Sequence, residues 1–395
     1  MYCTKNIASD LVWVGANDRR LAMFEGVYSV PAGVSYNSYL LTDEKTVLFD
    51  TVDKAVGRIF FENLEHGLGG RTLDYLIVHH MEPDHSATLS ELLLRHPETT
   101  VVCNDKTAVM IAQFFGSGAA GRMQLVKEGD TLSTGAHELT FYMAPMIHWP
   151  EVMMSYEESE KVLFSADAFG KFGALNIKES PAEAKKEDWA CEARRYYFNI
   201  VGKYGAPVQA LLKKAAALDI QKICPLHGPV LAEELSYYIE KYDVWSRYEP
   251  EDKGVLIAYS SVYGNTKAAV ETLAECIGNR EKVVLADLAR EDMAEVIEDA
   301  FRYDRLVVAS PTYDGGLFPA VESFLNHLKA KAYQKRKVFL IENGSWAPMA
   351  AKKMAETFSE MKDICLAENS VTIKSALNEE SLSAIKALAE EIVKA

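Results

Sequence analysis

The chain has 395 residues, of which 49% are hydrophobic, 25% charged and 10% aromatic, and its formal net charge is −15. This composition excludes a disordered or low-complexity chain, and the length predicts about two or three domains. The excess of Asp and Glu argues against nonspecific binding to nucleic acid or to an anionic membrane, so we expect small molecules, metals or basic protein faces as partners.

Neither a membrane span nor a secretory signal is visible in the sequence. No stretch is apolar for the length that a bilayer requires, and the first ten residues lack the apolar core of a signal peptide. We therefore expect a cytoplasmic protein. The six cysteines include no C-x-x-C pair, which argues against a rubredoxin-type iron centre, a zinc ribbon or a disulfide framework.

In the first part of the chain, short β-rich runs alternate with helix-like runs over about 11–142. The runs LTFYMAPMIHW, VMMSY and KVLFSADAF predict further strands, and two helical spans follow between about 187 and 218. A last amphipathic helix leads into YEPEDKG, whose proline and charges are typical of a linker. We place a first domain at 1–248 and a second at 253–395.

The second part has a regular alternation of apolar runs and helix patterns. The runs are GVLIAYS, KVVLADL, RLVVAS, KVFLIE and SVTIKS. Five strands with intervening helices in a segment of this length predict a small, doubly wound parallel sheet.

Histidines and carboxylates cluster at the ends of apolar runs in the first part. The segment HHMEPDH directly follows the run YLIV, and His148, Asp167 and His227 each follow a later run. Side chains at strand ends of a layered sheet converge on one cleft, so these residues together predict a metal site. His79 would point away from His80, because successive strand side chains alternate, and we interpret it and the four remaining histidines as structural.

These residues resemble the metallo-β-lactamase ligand motif, H-x-H-x-D-H followed by H, D and H on later strands. Glu82 replaces the second histidine of the motif, which is the substitution that marks the flavodiiron proteins. The resemblance implies an N-terminal metallo-β-lactamase-like αββα sandwich with two irons, and the added carboxylate favours iron over zinc. The implied ligands are His80, Glu82 and His148 for one iron, Asp84, His85 and His227 for the other, and Asp167 as the bridge.

Three loops in the second part follow apolar runs at positions where open α/β sheets bind ligands. The first has hydroxyls and a glycine before a helix pattern, which suits a phosphate, although a serine-rich helix cap would look the same. It lacks the G-x-G-x-x-G of dinucleotide sites. The other two loops place an aromatic side chain beside glycines whose amides can approach a flat ring.

All three loops resemble those of flavodoxins, which implies a flavodoxin-like five-stranded parallel sheet that binds FMN. The residues implied in FMN binding are Ser260, Ser261, Val262, Tyr263, Gly264, Asn265, Thr266, Ser310, Pro311, Thr312, Tyr313, Asp314, Gly315, Gly316, Asn343, Gly344, Ser345, Trp346 and Ala347.

The resemblance covers nearly the whole chain and implies an oxidoreductase. It would reduce dioxygen to water, nitric oxide to nitrous oxide, or both, at a diiron site fed by FMN. Because the sequence has no C-x-x-C centre, electrons would come from an external donor such as rubredoxin. Compact domains would hold the flavin and irons of one chain far apart, so we expect a head-to-tail homodimer or a dimer of such dimers.

Other residues near the implied site come from the same resemblance. Tyr196 and Tyr197 are catalytic candidates, because the family has a tyrosine near the substrate, with ordinary packing as the alternative. Trp149 would wall the metal pocket or serve as a core aromatic. Glu25 stands where many family members have a histidine, and the sequence does not decide which gas is preferred.

Two other classes of function remain open at this point. One is a zinc hydrolase of the metallo-β-lactamase fold with a flavodoxin module. The other is a non-catalytic flavin and iron electron carrier, although a carrier would not require a full set of seven ligands.

Overall fold

The structure is a computed structural model, and it describes residues 2–116, 122–176 and 186–395. The chain forms two compact units, one of Met1–Tyr197 with Ala206–Asp243 and one of Phe198–Gly205 with Val244–Ala395. Within the described ranges, no helix has both the length and the apolar character required to cross a bilayer.

The described residues of the first unit form sixteen short strands. In chain order they are β1 (Lys5–Asn6), β2 (Leu11–Trp13), β3 (Ala16–Asp18), β4 (Met23–Phe24), β5 (Tyr28–Ser29), β6 (Val34–Tyr36), β7 (Tyr39–Thr42), β8 (Thr46–Phe49), β9 (Tyr75–Ile77), β10 (Thr100–Cys103), β11 (Arg122–Leu125), β12 (Thr131–Ser133), β13 (Glu138–Met143), β14 (Met153–Glu157), β15 (Val162–Phe164) and β16 (Lys222–Cys224).

In the described residues, seven helices accompany these strands, and the fifth is followed by a π-helical turn (Tyr197–Val201) and a 3-10 turn (Gly202–Tyr204), which lie almost entirely in the segment that belongs to the second unit. The helices are α1 (Gly57–Leu68), α2 (Pro83–Ser86), α3 (Leu89–Arg95), α4 (Asp105–Phe115), α5 (Lys186–Tyr196), α6 (Gly205–Ala215) and α7 (Leu235–Ser246).

Two sheets pack face to face in this unit. One has the order β1-β2-β7-β8-β9-β10-β11 and the other the order β12-β13-β14-β15-β16. Alternate side chains of both sheets enter a common core, where the rings of Phe49 and Phe164 stack at 3.7 Å between centroids. Helix α1 packs on the outer face of the first sheet against β7. The predicted metallo-β-lactamase-like αββα sandwich is confirmed.

The second unit is a parallel sheet with helices between its strands. Its strands are β17 (Asp252–Tyr259), β18 (Val283–Asp287), β19 (Tyr303–Tyr313), β20 (Gly316–Leu317), β21 (Arg336–Asn343), β22 (Ile364–Leu366) and β23 (Val371–Ile373), and its helices are α8 (Asn265–Ile277), α9 (Met293–Arg302), α10 (Pro319–Ala330), α11 (Ala350–Ser359) and α12 (Glu379–Lys394).

The main strand order of this sheet, β18-β17-β19-β21-β22, is the 2-1-3-4-5 order of flavodoxins, so the predicted flavodoxin-like sheet is confirmed. The fifth strand differs from the prediction, because β22 and β23 both pair with β21 in succession. The predicted run SVTIKS (370–375) contains β23, whereas β22 comes before it, separated by exposed polar residues such as Glu368 and Asn369. The carboxyl ends of β17, β19 and β21 lead directly into the three predicted flavin loops.

Candidate metal centre and flavin loops

The loop that follows β9 carries four of the predicted metal ligands into the end of the αββα sandwich. Glu82 precedes helix α2, and Pro83 occupies its first position, where the missing backbone N–H costs no hydrogen bond. Thr51, just beyond β8, holds this loop, because its backbone N–H and its Oγ1 both donate to the carbonyl of His85, at 3.0 and 2.8 Å. The loop is therefore fixed to two neighbouring strands.

One group of predicted ligands, His80, Glu82 and His148, forms what we call the first metal position. His148 Nε2 lies 2.9 Å from Glu82 Oε2, and His80 Nε2 lies 3.2 Å from the same oxygen. Both imidazole nitrogens also face Asp167 Oδ2, at 3.2 Å from His80 and 3.4 Å from His148. Four donor groups thus converge on one point.

The other group, Asp84, His85 and His227, forms the second metal position. The two Nε2 atoms lie 3.1 Å apart, and each faces Asp84 Oδ2, at 3.3 Å from His85 and 3.2 Å from His227. Asp167 presents its other oxygen, Oδ1, to the same nitrogens at 3.3 and 3.6 Å. The carboxylate of Asp167 therefore faces both positions, one oxygen to each.

The chemistry of this donor set fits two bound metal ions. Both carboxylate oxygens of Asp84 and of Asp167 are buried without a hydrogen-bond partner among the described residues. Buried ionised carboxylates are costly unless a cation compensates them. Four imidazoles and three carboxylates make a mixed nitrogen and oxygen set that suits iron, and the structure brings all seven predicted ligands together.

The carboxylates also set the protonation of the imidazoles. Burial lowers the pKa of His80, but the adjacent carboxylates of Asp167, Glu151 and Glu82 stabilise its charged form and raise the pKa well above its usual value. The pKa of His148 rises to about 9 in the same way, because contacts with Asp167 and Glu82 outweigh burial. Protons and metal ions compete for these nitrogens, so metal uptake must release protons.

Two of the four candidate ligand imidazoles have an outer partner for the nitrogen that faces away from the metal positions, and the sequence did not reveal either partner. His80 Nδ1 lies 2.8 Å from Glu151 Oε1, whereas His227 Nδ1 donates to the backbone carbonyl of Ser35 at 2.7 Å. Such partners fix the tautomer of a metal-binding histidine. Glu151 follows His148 by three residues, and no motif distinguishes it from a surface glutamate in the sequence.

Aromatic side chains enclose the metal centre. Trp149 is half-buried with its ring edge-on to His80, 5.3 Å between centroids, so it does wall the pocket. The ring of Tyr196 lies 5.5 Å from that of His227, whereas the ring of Tyr197 packs edge-on against Tyr242 at 5.1 Å. Of the two predicted tyrosines, Tyr196 is therefore the one whose ring lies against a candidate metal ligand among the described residues.

Glu25 lies in the turn between β4 and β5, with a backbone φ of 50°. Its carboxyl neighbours that of Glu82, and burial together with this second carboxylate raises the pKa of Glu25 to about 8. A carboxyl that can hold a proton near neutral pH thus stands beside a predicted iron ligand.

Two histidines that we interpreted as structural have closed hydrogen-bond networks. His79 Nδ1 bonds Asp50 Oδ2 at 2.6 Å, and its Nε2 bonds Ser155 Oγ at 2.8 Å. The ring of His137 lies between two carboxylates that its sequence context does not show. Its Nδ1 is 2.9 Å from Glu157 Oε1, and its Nε2 is 2.8 Å from Asp10 Oδ2. Neither imidazole keeps a nitrogen for a metal.

The first flavin loop joins β17 to α8 and has the form of a phosphate cradle. Gly264 precedes the helix with φ 92°, a conformation that side chains disfavour, and the space around it is open. Ser260 Oγ is buried without a hydrogen-bond partner among the described residues, while Thr266 is buried in the first turn of α8. A thirteen-residue helix N-terminus with an adjacent hydroxyl suits a phosphate.

The second and third flavin loops are tied to each other. Thr312 Oγ1 accepts hydrogen bonds from the backbone N–H groups of Met349 and Ala350, at 2.9 and 3.2 Å. The aromatic rings that the loops carry stay open to solvent, with Tyr313 44% and Trp346 83% exposed. Rigid loops with exposed rings at the carboxyl edge of the sheet fit the flat ring system of FMN.

Two protein families match the chain, one for each unit. Residues 34–228 match the ODP family of beta lactamases, and residues 256–381 match a flavodoxin domain family. A flavorubredoxin of Vibrio vulnificus, described as an anaerobic nitric oxide reductase, is 30% identical over 354 residues, which cover 87% of this chain and 70% of that protein.

Solved structures resemble the entire chain. The rubredoxin oxygen:oxidoreductase of Desulfovibrio gigas superposes with a TM-score of 0.90 and 27% identity, covering 99% of this chain and 98% of its own. The flavodiiron protein of Giardia intestinalis gives a TM-score of 0.93 with 24% identity, covering 99% and 96%. At 24% identity, the likeness to the Giardia intestinalis protein shows a shared fold alone.

Proposed function

This chain is an oxidoreductase of the flavodiiron family, with FMN and a diiron centre as its cofactors, and we propose that it reduces dioxygen to water, nitric oxide to nitrous oxide, or both. The position of Asp167, with one oxygen toward each metal position, is the observation that carries the proposal. A carboxylate placed in this way would hold two metal ions side by side, and those ions would supply the chemistry for reducing a small gaseous substrate. The relatives named above carry out one or the other reduction by name.

The diiron centre supplies, when loaded, the electrons and the binding positions at which a diatomic gas is reduced. The protein residues hold and shield this centre. Trp149 and Tyr196 cover the imidazoles of His80 and His227 and limit the access of water. The ring position of Tyr196 favours it over Tyr197 as the catalytic tyrosine, with its hydroxyl as a proton donor to substrate.

The flavin loops form the electron entry point in this proposal. Ser260 and Thr266 would bind the FMN phosphate at the N-terminus of α8, and Tyr313 and Trp346 would contact the ring system. We propose that a separate electron donor reduces the flavin. Rubredoxin is the donor that we propose, since it appears in the name of the Desulfovibrio gigas protein.

The functional unit that we propose is a head-to-tail homodimer. The metal ligands lie in one compact unit and the flavin loops in the other, so the two cofactors belong to separate bodies of the chain. In a twofold dimer, the flavin of one protomer can approach the irons of its partner, and such symmetric dimers are the commonest oligomers.

An anaerobic stopped-flow experiment tests the proposed function. Protein loaded with iron and FMN is reduced and then mixed with dioxygen or with nitric oxide in separate runs, and the same protein loaded with zinc is the control. We expect fast flavin reoxidation and repeated turnover with reduced rubredoxin in the iron form only.

Two results would contradict the proposal. Protein produced with iron available that contains mainly zinc and hydrolyses ester or amide substrates would indicate a zinc hydrolase. A single reoxidation without turnover, for both gases, would indicate an electron carrier.

A further inference from the structure

Glu151 is a buried carboxylate outside the set of metal ligands. Its side chain is 1% exposed, and Oε1 lies 2.8 Å from His80 Nδ1 and 3.0 Å from the backbone nitrogen of Met81. Its other oxygen, Oε2, is buried with no hydrogen-bond partner in the described part of the chain. A buried carboxylate stays ionised only where a nearby positive charge compensates the loss of its hydration.

The backbone around Glu151 is anchored by hydrogen bonds from the start of helix α4. Asn104 donates from Nδ2 to the carbonyl of Glu151 at 2.5 Å, and Lys106 donates from Nζ to the carbonyl of Pro150 at 3.2 Å. Asn104 is also the N-cap of α4, where its Oδ1 accepts from the backbone nitrogens of Lys106 and Thr107. The N-terminus of α4 thus holds the backbone of Glu151 in the position from which its carboxylate contacts His80.

The outer partners of the ligand imidazoles differ between the two metal positions. In the first position His80 has a carboxylate, Glu151, as its partner. In the second, His227 has the neutral backbone carbonyl of Ser35, and His85 Nδ1 is buried with no hydrogen-bond partner among the described residues. A carboxylate partner makes an imidazole a stronger donor to a metal than a neutral carbonyl does.

We propose that Glu151 is a positioning residue: it keeps the proton of His80 on Nδ1, so that Nε2 is free to bind iron, and it selectively strengthens the first metal position. The inference rests on the diiron centre of the proposed function. The orientation of His80 follows from the same contact, because its Nε2 faces Glu82 and Asp167 at 3.2 Å each while Nδ1 is held from behind.

Two substitutions and a matched control test this role. Glu151→Gln keeps a hydrogen-bonding oxygen but removes the charge, and Glu151→Ala removes both. Glu157→Gln is the control, since Glu157 is also buried and also bonds an imidazole, that of His137, which is no metal ligand.

The readout is iron binding, measured by competition with a chelator and by Mössbauer spectroscopy of protein loaded with ⁵⁷Fe. Variants that lack one ligand of each position, His148→Ala and His227→Ala, assign the two iron signals. We expect Glu151→Gln to weaken the first position about 10- to 100-fold and to alter its signal, with a larger loss in Glu151→Ala. The second position and the control should keep wild-type binding.

Two outcomes would overturn the inference. One is wild-type affinity and signals in both Glu151 variants, and the other is an equal loss at both positions, which would indicate general damage to the fold. If the unchanged protein bound no iron pair at all, the proposed function would fail with it, so the two failures are distinguishable.

Discussion

The Nε2 atoms of His85 and His227 lie 3.1 Å apart, and both face Asp84 Oδ2. If the two nitrogens shared one proton in a hydrogen bond, the buried carboxylate of Asp84 would have no hydrogen-bond donor. One cation at the centre satisfies all three groups, and Asp167 completes the arrangement from the side of the first metal position. The convergence of donors is therefore better explained by metal than by hydrogen bonding.

Replacement of Asp167 by Asn should reduce the iron content from about two per chain to one or less. An amide brings no negative charge and cannot bridge two cations as a carboxylate does. Metal analysis of protein purified with iron available measures the effect. Asp219→Asn is the control, because Asp219 is an exposed residue of the same unit that pairs with Lys161. Full iron loading in Asp167→Asn would show that Asp167 does not bridge.

Replacement of Glu82 by His should restore the ligand motif of a zinc metallo-β-lactamase. We expect the variant to prefer zinc over iron and to lose gas reduction, because it loses one of the carboxylates that favour iron. Its flavin absorbance should stay unchanged, since the flavin loops belong to the other compact unit. Gas turnover at the wild-type rate in this variant would mean that Glu82 is not a ligand.

The sequence could predict the candidate metal ligands because they follow apolar runs, and strand ends converge in a layered sheet. It could not reveal Glu151, whose role depends on the fold bringing the turn before β14 and the loop after β9 together across 71 positions of the sequence. The same holds for His137, which meets Asp10 only through contacts between distant parts of the first unit. The fifth strand of the second sheet was predicted as the single run SVTIKS. The pairing of β22 with β21 was missed, because it depends on the tertiary fold and not on the local sequence.

Replacement of Gly264 by Asp should weaken FMN binding at least tenfold. Near a protein surface, two like charges about 4 Å apart repel by roughly 4 kcal/mol, and the new carboxylate would face the phosphate. Gly278→Asp is a matched control, because Gly278 follows the other end of α8, also with positive φ and open space. Flavin retention after gel filtration measures the effect, and equal losses in both variants would point to backbone strain instead.

The His137 network should stabilise the first unit below neutral pH. Burial lowers the pKa of His137, but the hydrogen bonds to Glu157 and Asp10 outweigh it and raise the pKa above 6.5. Because the folded-state pKa is the higher one, this stabilisation is complete below about pH 6.5 and is lost as the pH rises through the folded-state value.

The measurement for this network is the thermal midpoint of the unchanged protein and of His137→Gln. We expect the substitution to cost about 1–3 kcal/mol at pH 6 and clearly less at pH 9. Asp10→Asn, which removes one carboxylate partner, should reduce the pH dependence. A difference between the proteins that is constant, or that grows with pH, would contradict the assignment.

The proposed dimer predicts that two inactive variants complement each other. His148→Ala with Asp167→Ala removes ligands of the irons, and Thr266→Glu with Gly264→Asp disrupts the phosphate loop. In a head-to-tail dimer that contains one chain of each kind, the intact flavin of the first lies beside the intact irons of the second. Each mixed dimer has one working pair where the wild-type dimer has two, so purified mixed dimers should show roughly half of the wild-type activity.

Coexpression with two different affinity tags, followed by mass analysis of the purified mixed dimers, provides the sample for this test. Each parent dimer must be inactive, because one has flavin without irons and the other irons without flavin. Mixed dimers with the expected cofactor content but without turnover would exclude transfer between chains, since no chain in the mixture carries both cofactors. Activity in the mixed dimers can arise only across the interface, and it would establish the inter-chain route directly.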